Sequence, residues 1–518
     1  MTARPDFDVA VIGAGPAGIY LANMLGLGGL RVLIADREVA ILQMPRAVHF
    51  DGEVMRAFQA AGLADPIAGV ARASSQGMHF VSASGQTLMV RRGYAGVGPH
   101  GWANNYYVHQ PHLEAVLRDG LSRFPAVETR FGHEVRGVVD SGSHVAVSLT
   151  DLERGTDDAV TASYVVGCDG ARSLIRRTIG SPSEDLGLHQ PWLVVDAIVD
   201  EGAPRVRALP GYTVQLCDPA RPMTMVFVGG RRRRWEIMLM PGDDAATIVE
   251  PENVWPFLAR WITPADAELE RAAVYTFHSL IASGWRRGRL LLAGDACHQT
   301  PPFLGQGMCA GIRDGANLAW KLVAVVRGDA DPSLLDTYET ERRPHVHAFI
   351  KLAVELGATI QATDAARGRE RDIEFAKGPP RMFDFPQPQL GPGVRIDAPP
   401  PVGTIFPQPR LDDGSRLDDA TAGRFALLAD ADFLCGLPDE IRFGLEHTGV
   451  AMIANSAEIV AWLAQHRLRG VIIRPDGYIF ATIGSHEELE LALTRLSSLV
   501  RTAGRSRSGD GREERSPA

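Results

Sequence analysis

The amino-acid sequence predicts an α/β protein with three parts: a parallel-sheet domain, an antiparallel sheet inserted into it, and a small C-terminal α/β domain. Apolar strands with glycine-rich turns and helices begin the chain, and alternating apolar segments separated by Gly, Pro and Arg fill residues 186–280. A proline-rich stretch then precedes a further set of strands and helices. Of the 518 residues, 45% are hydrophobic and 22% are charged, which is usual for globular proteins with large cores.

The N-terminal segment carries the first motif. A buried strand, a helix and a second strand are predicted within residues 7–35, and Gly13, Gly15 and Gly18 form a G-x-G-x-x-G pattern after the first strand. These glycines allow a tight turn, close approach of a pyrophosphate and close packing of the helix on the strand, while the helix N-terminus attracts phosphate. Asp36, at the end of the second strand, can accept hydrogen bonds from a ribose. The segment predicts a Rossmann-like site for FAD or NAD, without distinguishing the two.

Two more aspartates follow apolar strands. Asp169 comes after residues 164–168 and Asp295 after residues 289–294. Open α/β sheets bind ligands at the carboxyl ends of their strands, so both side chains are candidate ligand contacts. Each could equally cap the helix that follows it.

The order of these motifs resembles the FAD-dependent aromatic ring hydroxylases, the p-hydroxybenzoate hydroxylase-like flavoprotein monooxygenases. Several local runs are most similar to 3-(3-hydroxyphenyl)propionate hydroxylases. The matching family motifs are Gly13-x-Gly15-x-x-Gly18, Asp169-Gly170-x-x-Ser173-x-x-Arg176, Gly294-Asp295-Ala296-Cys297-His298, Pro301-Pro302 and Gly305-Gln306-Gly307, and the subfamily runs include Pro45-Arg46-Ala47, Gln110-Pro111 and Arg233-Arg234-Trp235-Glu236.

The resemblance implies FAD as the cofactor and NADH or NADPH as the electron donor. It also implies that reduced flavin reacts with O2 to give a C4a-hydroperoxide that hydroxylates a phenolic ring, such as that of 3-(3-hydroxyphenyl)propionate. The cofactor-binding residues that it implies are Gly13, Gly15, Ala17, Gly18, Asp36, Arg37, Arg46, Gln110, Asp169, Gly294, Asp295, Gly305, Gln306, Gly307 and Met308.

Candidate catalytic and substrate residues follow from the same resemblance. The Pro302 carbonyl would meet a substrate hydroxyl, and Tyr107 and Trp235 are candidates for the substrate pocket. His298 is a candidate base, although its place in a turn beside Asp295 favours a structural role. Weaker pocket candidates are Tyr106, His109 and His278, and the run Arg231–Arg234 is interpreted mainly as a solvated hairpin turn.

The predicted domain boundaries follow these motifs and the change in composition. The C-terminal domain resembles the thioredoxin-like domain of phenol hydroxylases through Val471–Gly477, but Cys435 stands alone, so dithiol exchange is not expected. The predicted parts are a discontinuous FAD-binding domain (1–185 and 281–378), an antiparallel-sheet substrate domain (186–280), a proline-rich linker (379–395), the thioredoxin-like domain (396–502) and a disordered tail (503–518).

Composition excludes several other classes of function. A net charge of -9 gives no basic field for nucleic acid. The uncharged stretch Val9–Leu30 is interrupted by the glycine motif, so we expect no membrane span and no signal peptide. Five cysteines without C-x-x-C spacing predict neither disulfides nor a metal site, and fit a cytoplasmic protein.

Three alternatives and the oligomeric state stay open at this point. The same flavin chemistry could act on a polyketide or an N-heteroaromatic ring. A non-catalytic flavin-binding protein would keep the motifs but lack turnover, and an NAD-dependent dehydrogenase would have no use for Asp169 and Asp295. A homodimer is among the states that the sequence leaves open.

Overall fold

The structure is a computed structural model that describes residues 4–43, 46–454 and 456–500. Pro45 and the tail predicted at 503–518 therefore lie outside the described residues. The strands are β1 Phe7–Ile12, β2 Val32–Asp36, β3 His49–Asp51, β4 Ala71–Ala73, β5 Met78–Ser82, β6 Thr87–Arg91, β7 Asn105–Val108, β8 Val127–Phe131, β9 His133–Asp140, β10 Val145–Asp151, β11 Thr156–Gly167, β12 Ser183–Val199, β13 Thr213–Cys217, β14 Met223–Gly229, β15 Arg232–Met238, β16 Ala267–Ala282, β17 Arg286–Arg287, β18 Leu290–Leu292, β19 His298–Gln299, β20 Arg381–Phe383, β21 Ala426–Ala429, β22 Ala451–Ala454, β23 Gly470–Ile473 and β24 Ile479–Ile483.

Helices connect many of the strands. The helices are α1 Pro16–Leu27, α2 Gly52–Ala60, α3 Ala64–Val70, α4 Gln110–Leu121, α5 Leu174–Ile179, α6 Pro204–Arg207, α7 Pro251–Leu258, α8 Gly307–Arg327, α9 Thr337–Ile360, α10 Ala365–Ala376, α11 Leu417–Thr421, α12 Ala431–Cys435, α13 Asp439–Thr448, α14 Ala457–His466 and α15 His486–Leu499. Helix α1 packs against β1, β2, α4 and α8. Short 3₁₀ turns follow β18 at Gly294–Ala296, β19 at Pro302–Leu304 and helix α8 at Pro332–Asp336.

The first sheet confirms the α/β prediction. Its strand order is β17-β18-β11-β1-β2-β8, and β1 lies between β2 and β11, parallel to both. All six residues of β1 are buried, as expected for a central strand covered on both faces. The predicted strand, glycine turn, helix and second strand appear as β1, α1 and β2. The carboxyl ends of β1 and β11 therefore meet at one edge of the sheet.

The second sheet is larger than the segment from which it was predicted. Its nine strands run in the order β19-β16-β12-β15-β14-β13-β5-β6-β20. β19 joins from just beyond residues 186–280, and the three strands β5, β6 and β20 join from distant parts of the chain. The pairings of β13 with β5 and of β6 with β20 are parallel, and the others are antiparallel. Pairing between strands far apart in the chain leaves no local sequence signal, which is why the prediction missed these three strands.

The proline-rich segment 379–395 was predicted as a linker, and here the structure differs. Its residues Arg381–Phe383 form β20 at the edge of the second sheet, and Leu390 and Val394 are buried. Proline is tolerated beside an edge strand, because one side of that strand needs no ladder hydrogen bonds. The segment is a packed connection.

The C-terminal domain is a four-stranded mixed sheet with helices. Its order is β22-β21-β23-β24, with β21 parallel to β22 and antiparallel to β23. Arg474, at the end of β23, joins this domain to α9 through a hydrogen bond of 2.9 Å from Nη2 to Glu341 Oε2. Cys435 is exposed and the five cysteines are unpaired. Within the described residues, no helix combines the length and the apolar character that a membrane crossing needs.

Candidate active site

A cavity of about 380 Å³ lies between the parallel sheet and the nine-stranded sheet. One wall is the glycine loop at the start of α1 together with the turns before α8. The opposite wall is one face of the nine-stranded sheet. Of the residues predicted to bind cofactor or substrate, those that line this cavity are Gly15, Ala17, Gly18, Arg46, Tyr107, Gln110, His278, Gly294, Asp295, Pro302, Gly305, Gly307 and Met308.

The glycine loop has the shape that a pyrophosphate needs. A Cβ at Gly13 would lie 2.3 Å from the Cys168 carbonyl oxygen, and one at Gly18 would lie 2.0 Å from the Gly13 carbonyl oxygen. These two glycines therefore serve close packing of the backbone. Gly15 has no atom within 4 Å of its Cβ position, and no side chain caps α1 there. The loop thus leaves open space directly before the free N–H groups of a helix.

Asp36 and Arg37 lie outside the cavity lining. Asp36 Oδ2 accepts a hydrogen bond from Ala14 N at 2.6 Å, so this carboxylate holds the glycine loop against β2. Its Oδ1 accepts from Glu38 N at 2.8 Å. Arg37 is exposed and its Nε is 3.1 Å from Glu38 Oε1.

Gln110 fixes the segment that precedes β3. Its Oε1 accepts hydrogen bonds from Arg46 N at 2.9 Å and from Ala47 N at 2.6 Å, and its Nε2 donates to Glu114. Arg46 and Gln110, which are far apart in sequence, therefore line the same part of the cavity.

The two aspartates at strand ends have different roles. Asp169 Oδ2 accepts hydrogen bonds from Leu174 N at 2.6 Å and Ile175 N at 3.2 Å, so it caps α5 and lies outside the cavity lining. Asp295 is exposed on the turn Gly294–Ala296 and lines the cavity. No hydrogen bond from the described residues engages its carboxylate, which leaves it available to ligand hydroxyls.

His298, a candidate base, lies behind the cavity wall. Its Nε2 is 2.6 Å from Asp314 Oδ2, and both side chains are fully buried. Asp314 also accepts from Arg342 Nε at 3.0 Å and from Gly294 N at 3.1 Å. This buried pairing agrees with the structural role that the sequence favours for His298, since the same Asp314 carboxylate also holds the turn that carries Asp295.

The turns before α8 present backbone to the cavity. Pro302, Gly305, Gly307 and Met308 line it, whereas the Gln306 side chain points away and donates to Asp51 Oδ2 at 3.1 Å. The 21-residue helix α8 begins here with no side-chain cap. Its first N–H groups and its dipole favour negative charge in the cavity.

On β13, β14 and β15, every second residue faces the cavity. Thr213, Gln215, Thr224 and Glu236 belong to the inward face and line the cavity. Tyr107 joins them, since its hydroxyl is 2.8 Å from Thr213 Oγ1. Thr213, Gln215, Thr224 and Glu236 were missed because the sequence alone does not show which face of each strand borders the cavity.

Trp235 belongs to the opposite face of the same sheet. It is fully buried, packs in the core that covers α7, and its ring centroid is 6.2 Å from that of Trp261. The predicted substrate contact for Trp235 is therefore wrong, because neighbouring residues of a strand point to opposite faces.

Arg234 also differs from its prediction as part of a solvated hairpin. It is 1% exposed, and its Nε donates to Asp196 Oδ1 at 2.7 Å. Arg271 Nη2 lies 2.7 Å from Asp196 Oδ2. One buried carboxylate on β12 therefore holds two guanidinium groups at the cavity wall.

Glu236 is the titratable residue that the sequence did not single out as a site. Burial raises the pKa of its carboxyl to about 7, although Arg234 and Arg271 lower it, and Asp196 adds to the rise. The available signal was its position between Trp235 and Ile237, because a carboxylate among buried residues needs a compensating environment.

These features define a Rossmann-like dinucleotide-binding protein whose cavity is closed by a second sheet. The described residues fit FAD: the open space at Gly15 suits a pyrophosphate, Asp295 suits ribityl hydroxyls, and the uncapped α8 suits the electron-rich end of a flavin. A family model described as "FAD binding domain" matches residues 6–353, and the chain belongs to this family.

Two curated relatives align along nearly the whole chain. A "Probable NADH-specific resorcinol 4-hydroxylase" of Rhodococcus jostii (strain RHA1) is 37% identical over 94% of this chain and 94% of its own length. A "3-(3-hydroxy-phenyl)propionate/3-hydroxycinnamic acid hydroxylase" of Mycolicibacterium gilvum (strain PYR-GCK) is 34% identical over 97% of this chain and 94% of its own length.

Solved structures share the fold. The flavin-dependent monooxygenase PieE, in complex with FAD and substrate, has a TM-score of 0.79 at 22% identity, covering 96% of this chain and 100% of that chain. Aklavinone-11 hydroxylase, in a ternary complex with FAD and aklavinone, also has a TM-score of 0.79, at 23% identity, covering 96% and 99%.

Proposed function

We propose that the protein is an FAD-dependent monooxygenase that hydroxylates a single phenolic ring with NADH and O2. The observation that carries this proposal is the cavity itself, where the dinucleotide loop and a wall of buried polar side chains face each other. The two relatives described above are named as hydroxylases of phenolic compounds, and one is named as NADH-specific. The compounds in their names each carry one phenolic ring, which favours a small aromatic substrate.

The residues predicted to bind FAD divide into those at the cavity and those that support it. Gly15, Ala17 and the α1 N-terminus would hold the pyrophosphate, and Asp295 would accept hydrogen bonds from the ribityl chain. Asp36 would bind the adenosine ribose while it holds the glycine loop in place. Bound FAD would supply the redox chemistry, taking a hydride from NADH and activating O2 for transfer of one oxygen atom to the ring.

The protein itself would stabilise charge, exclude water and orient the substrate. The α8 N-terminus beside Gly305–Met308 would stabilise negative charge on the reduced flavin, by roughly 0.3–1 kcal/mol and more where it is partly buried. The sheet wall would exclude water, and the Pro302 carbonyl would orient a substrate hydroxyl. Relatives point to resorcinol, 3-(3-hydroxyphenyl)propionate and 3-hydroxycinnamate as the first compounds to test.

Two finer assignments belong to the same proposal. The C-terminal domain would be thioredoxin-like in fold but structural in role, since its mixed sheet docks through Arg474 and its Cys435 has no partner cysteine. The partners would be a small phenol and O2 without nucleic acid, because the net charge of -9 repels phosphate backbones.

The test is a spectrum followed by an oxidation assay. Purified protein is expected to be yellow, and NADH oxidation should accelerate with one of the three phenols while a hydroxylated product forms. 3-Phenylpropionate, which lacks the phenolic hydroxyl, is the matched control and should give no hydroxylated product. Protein that cannot be reconstituted with FAD, or NADH oxidation that no phenol accelerates, would contradict the proposal.

A further inference from the structure

The substrate wall carries one carboxylate that the FAD assignments do not use. Among the described residues that line the cavity, only Glu236 and Asp295 are acidic, and Asp295 lies on the turn assigned to the ribityl chain. Glu236 lies on β15, on the opposite wall, and is 7% exposed. It therefore faces the space left for substrate.

The charges around Glu236 leave its own carboxylate without a partner. Asp196 on β12 pairs with Arg234 and with Arg271 of β16, at 2.7 Å each. No hydrogen bond or ion pair within residues 4–43, 46–454 and 456–500 engages the Glu236 oxygens. The two arginines thus bring positive charge close to Glu236, but their direct carboxylate partner is Asp196.

A row of polar side chains connects Glu236 with the flavin side of the cavity. Thr224 is the cross-strand neighbour of Glu236, and Gln215 is the neighbour of Thr224. Thr224 Oγ1 donates to Gln215 Oε1 at 2.6 Å, and Gln215 Nε2 donates to the Phe303 carbonyl at 3.4 Å. The row therefore ends at the Pro302–Leu304 turn. An aromatic ring that lies against these side chains would place its hydroxyl within hydrogen-bond reach of them.

We propose that Glu236 is the general base that accepts the proton of the substrate's phenolic hydroxyl. The inference rests on the proposed phenol hydroxylase activity. In this step the substrate O–H bond breaks and an O–H bond forms on Glu236, while the bonding electrons stay on the phenolate oxygen. No group is oxidised or reduced. Negative charge moves from Glu236 to the phenolate oxygen. Arg234 and Arg271 remain near this charge and stabilise it.

The local electrostatics suit this task. Burial, opposed by Arg234 and Arg271 and assisted by Asp196, raises the pKa of Glu236 to about 7. A free phenol has a pKa of about 10, and an ordinary Glu carboxyl has a pKa of about 4.3. The difference between the pKa of the phenol and that of the base is therefore roughly 6 units for an ordinary Glu and roughly 3 units for Glu236. Besides Arg234 and Arg271, the titratable side chains that line the cavity are those of Arg46, His49, Arg91, Tyr107, Cys168, Tyr275, His278 and Asp295. The neighbouring positions on β14 and β13, Thr224 and Gln215, carry no charge.

Glu236→Gln is the test variant, because it keeps the shape of the side chain and removes the base. Glu268→Gln, an exposed carboxylate on β16 of the same sheet, is the matched control. Flavin content and melting temperature establish that both variants fold. The first readout is binding of a nitrophenol below its solution pKa, since its phenolate absorbs visible light. Wild type and the control should ionise the bound ligand, and Glu236→Gln should bind it in the neutral form.

The second readout is the pH profile of turnover. Wild-type kcat should fall as pH drops below about 7, because protonated Glu236 cannot act as a base. Glu236→Gln should lose roughly 10²–10⁴-fold in kcat with little change in KM, and raising the pH toward the pKa of the free phenol should partly restore it. Glu236→Asp should recover part of the lost rate.

The outcomes separate this inference from the proposed function. If the wild type ionises nitrophenol and Glu236→Gln does not, but no phenol accelerates NADH oxidation, the hydroxylase proposal is overturned and Glu236 is retained as the group that deprotonates a bound phenol. A Glu236→Gln variant that ionises nitrophenol like wild type, with unchanged kcat and pH profile, would overturn the role of Glu236 and leave the hydroxylase proposal intact.

Discussion

Trp235 and Glu236 are consecutive residues of β15, and they lie on opposite faces of the nine-stranded sheet. Trp235 is fully buried in the core beside Trp261, and Glu236 lines the cavity. Side chains along a strand point alternately to its two faces. A site prediction that is displaced by one residue along a strand therefore names a core residue instead of a cavity residue. The two side chains should therefore respond to mutation in separable ways.

Trp235→Ala is expected to lower stability without altering substrate preference. Loss of a buried Trp side chain costs about 3–5 kcal/mol of the free energy of unfolding. Val226→Ala, which removes methyl groups from the cavity face of β14, is the matched comparison and should change the relative KM values of the three phenols. Urea unfolding and kcat/KM ratios measure the two effects. A changed kcat/KM ratio in Trp235→Ala, with unchanged stability, would show that Trp235 does contact substrate.

The two glycines of the phosphate loop should also be separable. Gly15 has φ of -75° and open space at its Cβ position, so Gly15→Ala should fold normally but place a methyl group where the pyrophosphate lies. Its Kd for FAD should rise roughly tenfold or more, which corresponds to about 1.4 kcal/mol. Gly18→Ala would press a Cβ against the Gly13 carbonyl at 2.0 Å.

Gly18→Ala should therefore destabilise the apoprotein itself, by about 1–3 kcal/mol, since the backbone must shift. Apoprotein melting temperature and FAD titration distinguish the two variants. If Gly15→Ala bound FAD as tightly as wild type, the open space at Gly15 would not be the pyrophosphate site.

The sequence predicts well those features that depend on neighbouring residues. The strand, glycine turn, helix and acid at Asp36 lie within one short segment, and each has a local physical cause. The burial of Arg234 was missed because its partner Asp196 lies 38 residues away on another strand. Likewise β20 pairs with β6 across nearly 300 residues, and only the folded chain reveals that contact. Asp169 shows the remaining limit, since a helix cap and a ligand contact give the same local pattern.

His298→Asn should lower stability while leaving the pH profile of turnover unchanged. The imidazole is fully buried against Asp314, so its loss weakens a buried pair that also holds Gly294 N. We expect a loss of about 1–3 kcal/mol in the free energy of unfolding. His112→Asn, at an exposed position of α4, is the control. Disappearance of the acidic limb of the kcat profile in His298→Asn would restore His298 as a candidate base.

The contact between the C-terminal domain and α9 should make the free energy of unfolding decrease at acid pH. Glu341 is fully buried, and its Oε2 lies 2.7 Å from Lys321 Nζ and 2.9 Å from Arg474 Nη2. Burial alone would raise the pKa of Glu341, but Arg474 and Lys321 lower it to about 2. Because the folded pKa lies below the unfolded value of about 4.3, this stabilisation is present above pH 4.3 and is lost as pH falls toward 2.

The lost stabilisation amounts to about 3 kcal/mol, from a difference of roughly 2 pKa units. Glu341→Gln leaves Lys321 and Arg474 without their shared carboxylate, and should cost about 3–5 kcal/mol at neutral pH. It should also flatten the decline in stability between pH 5 and pH 3 relative to Glu355→Gln, an exposed control on the same helix. Urea titrations at each pH measure both effects. Equal slopes in the two variants would mean that Glu341 does not set the acid response, because a carboxylate that titrates alike in folded and unfolded chains contributes nothing to it.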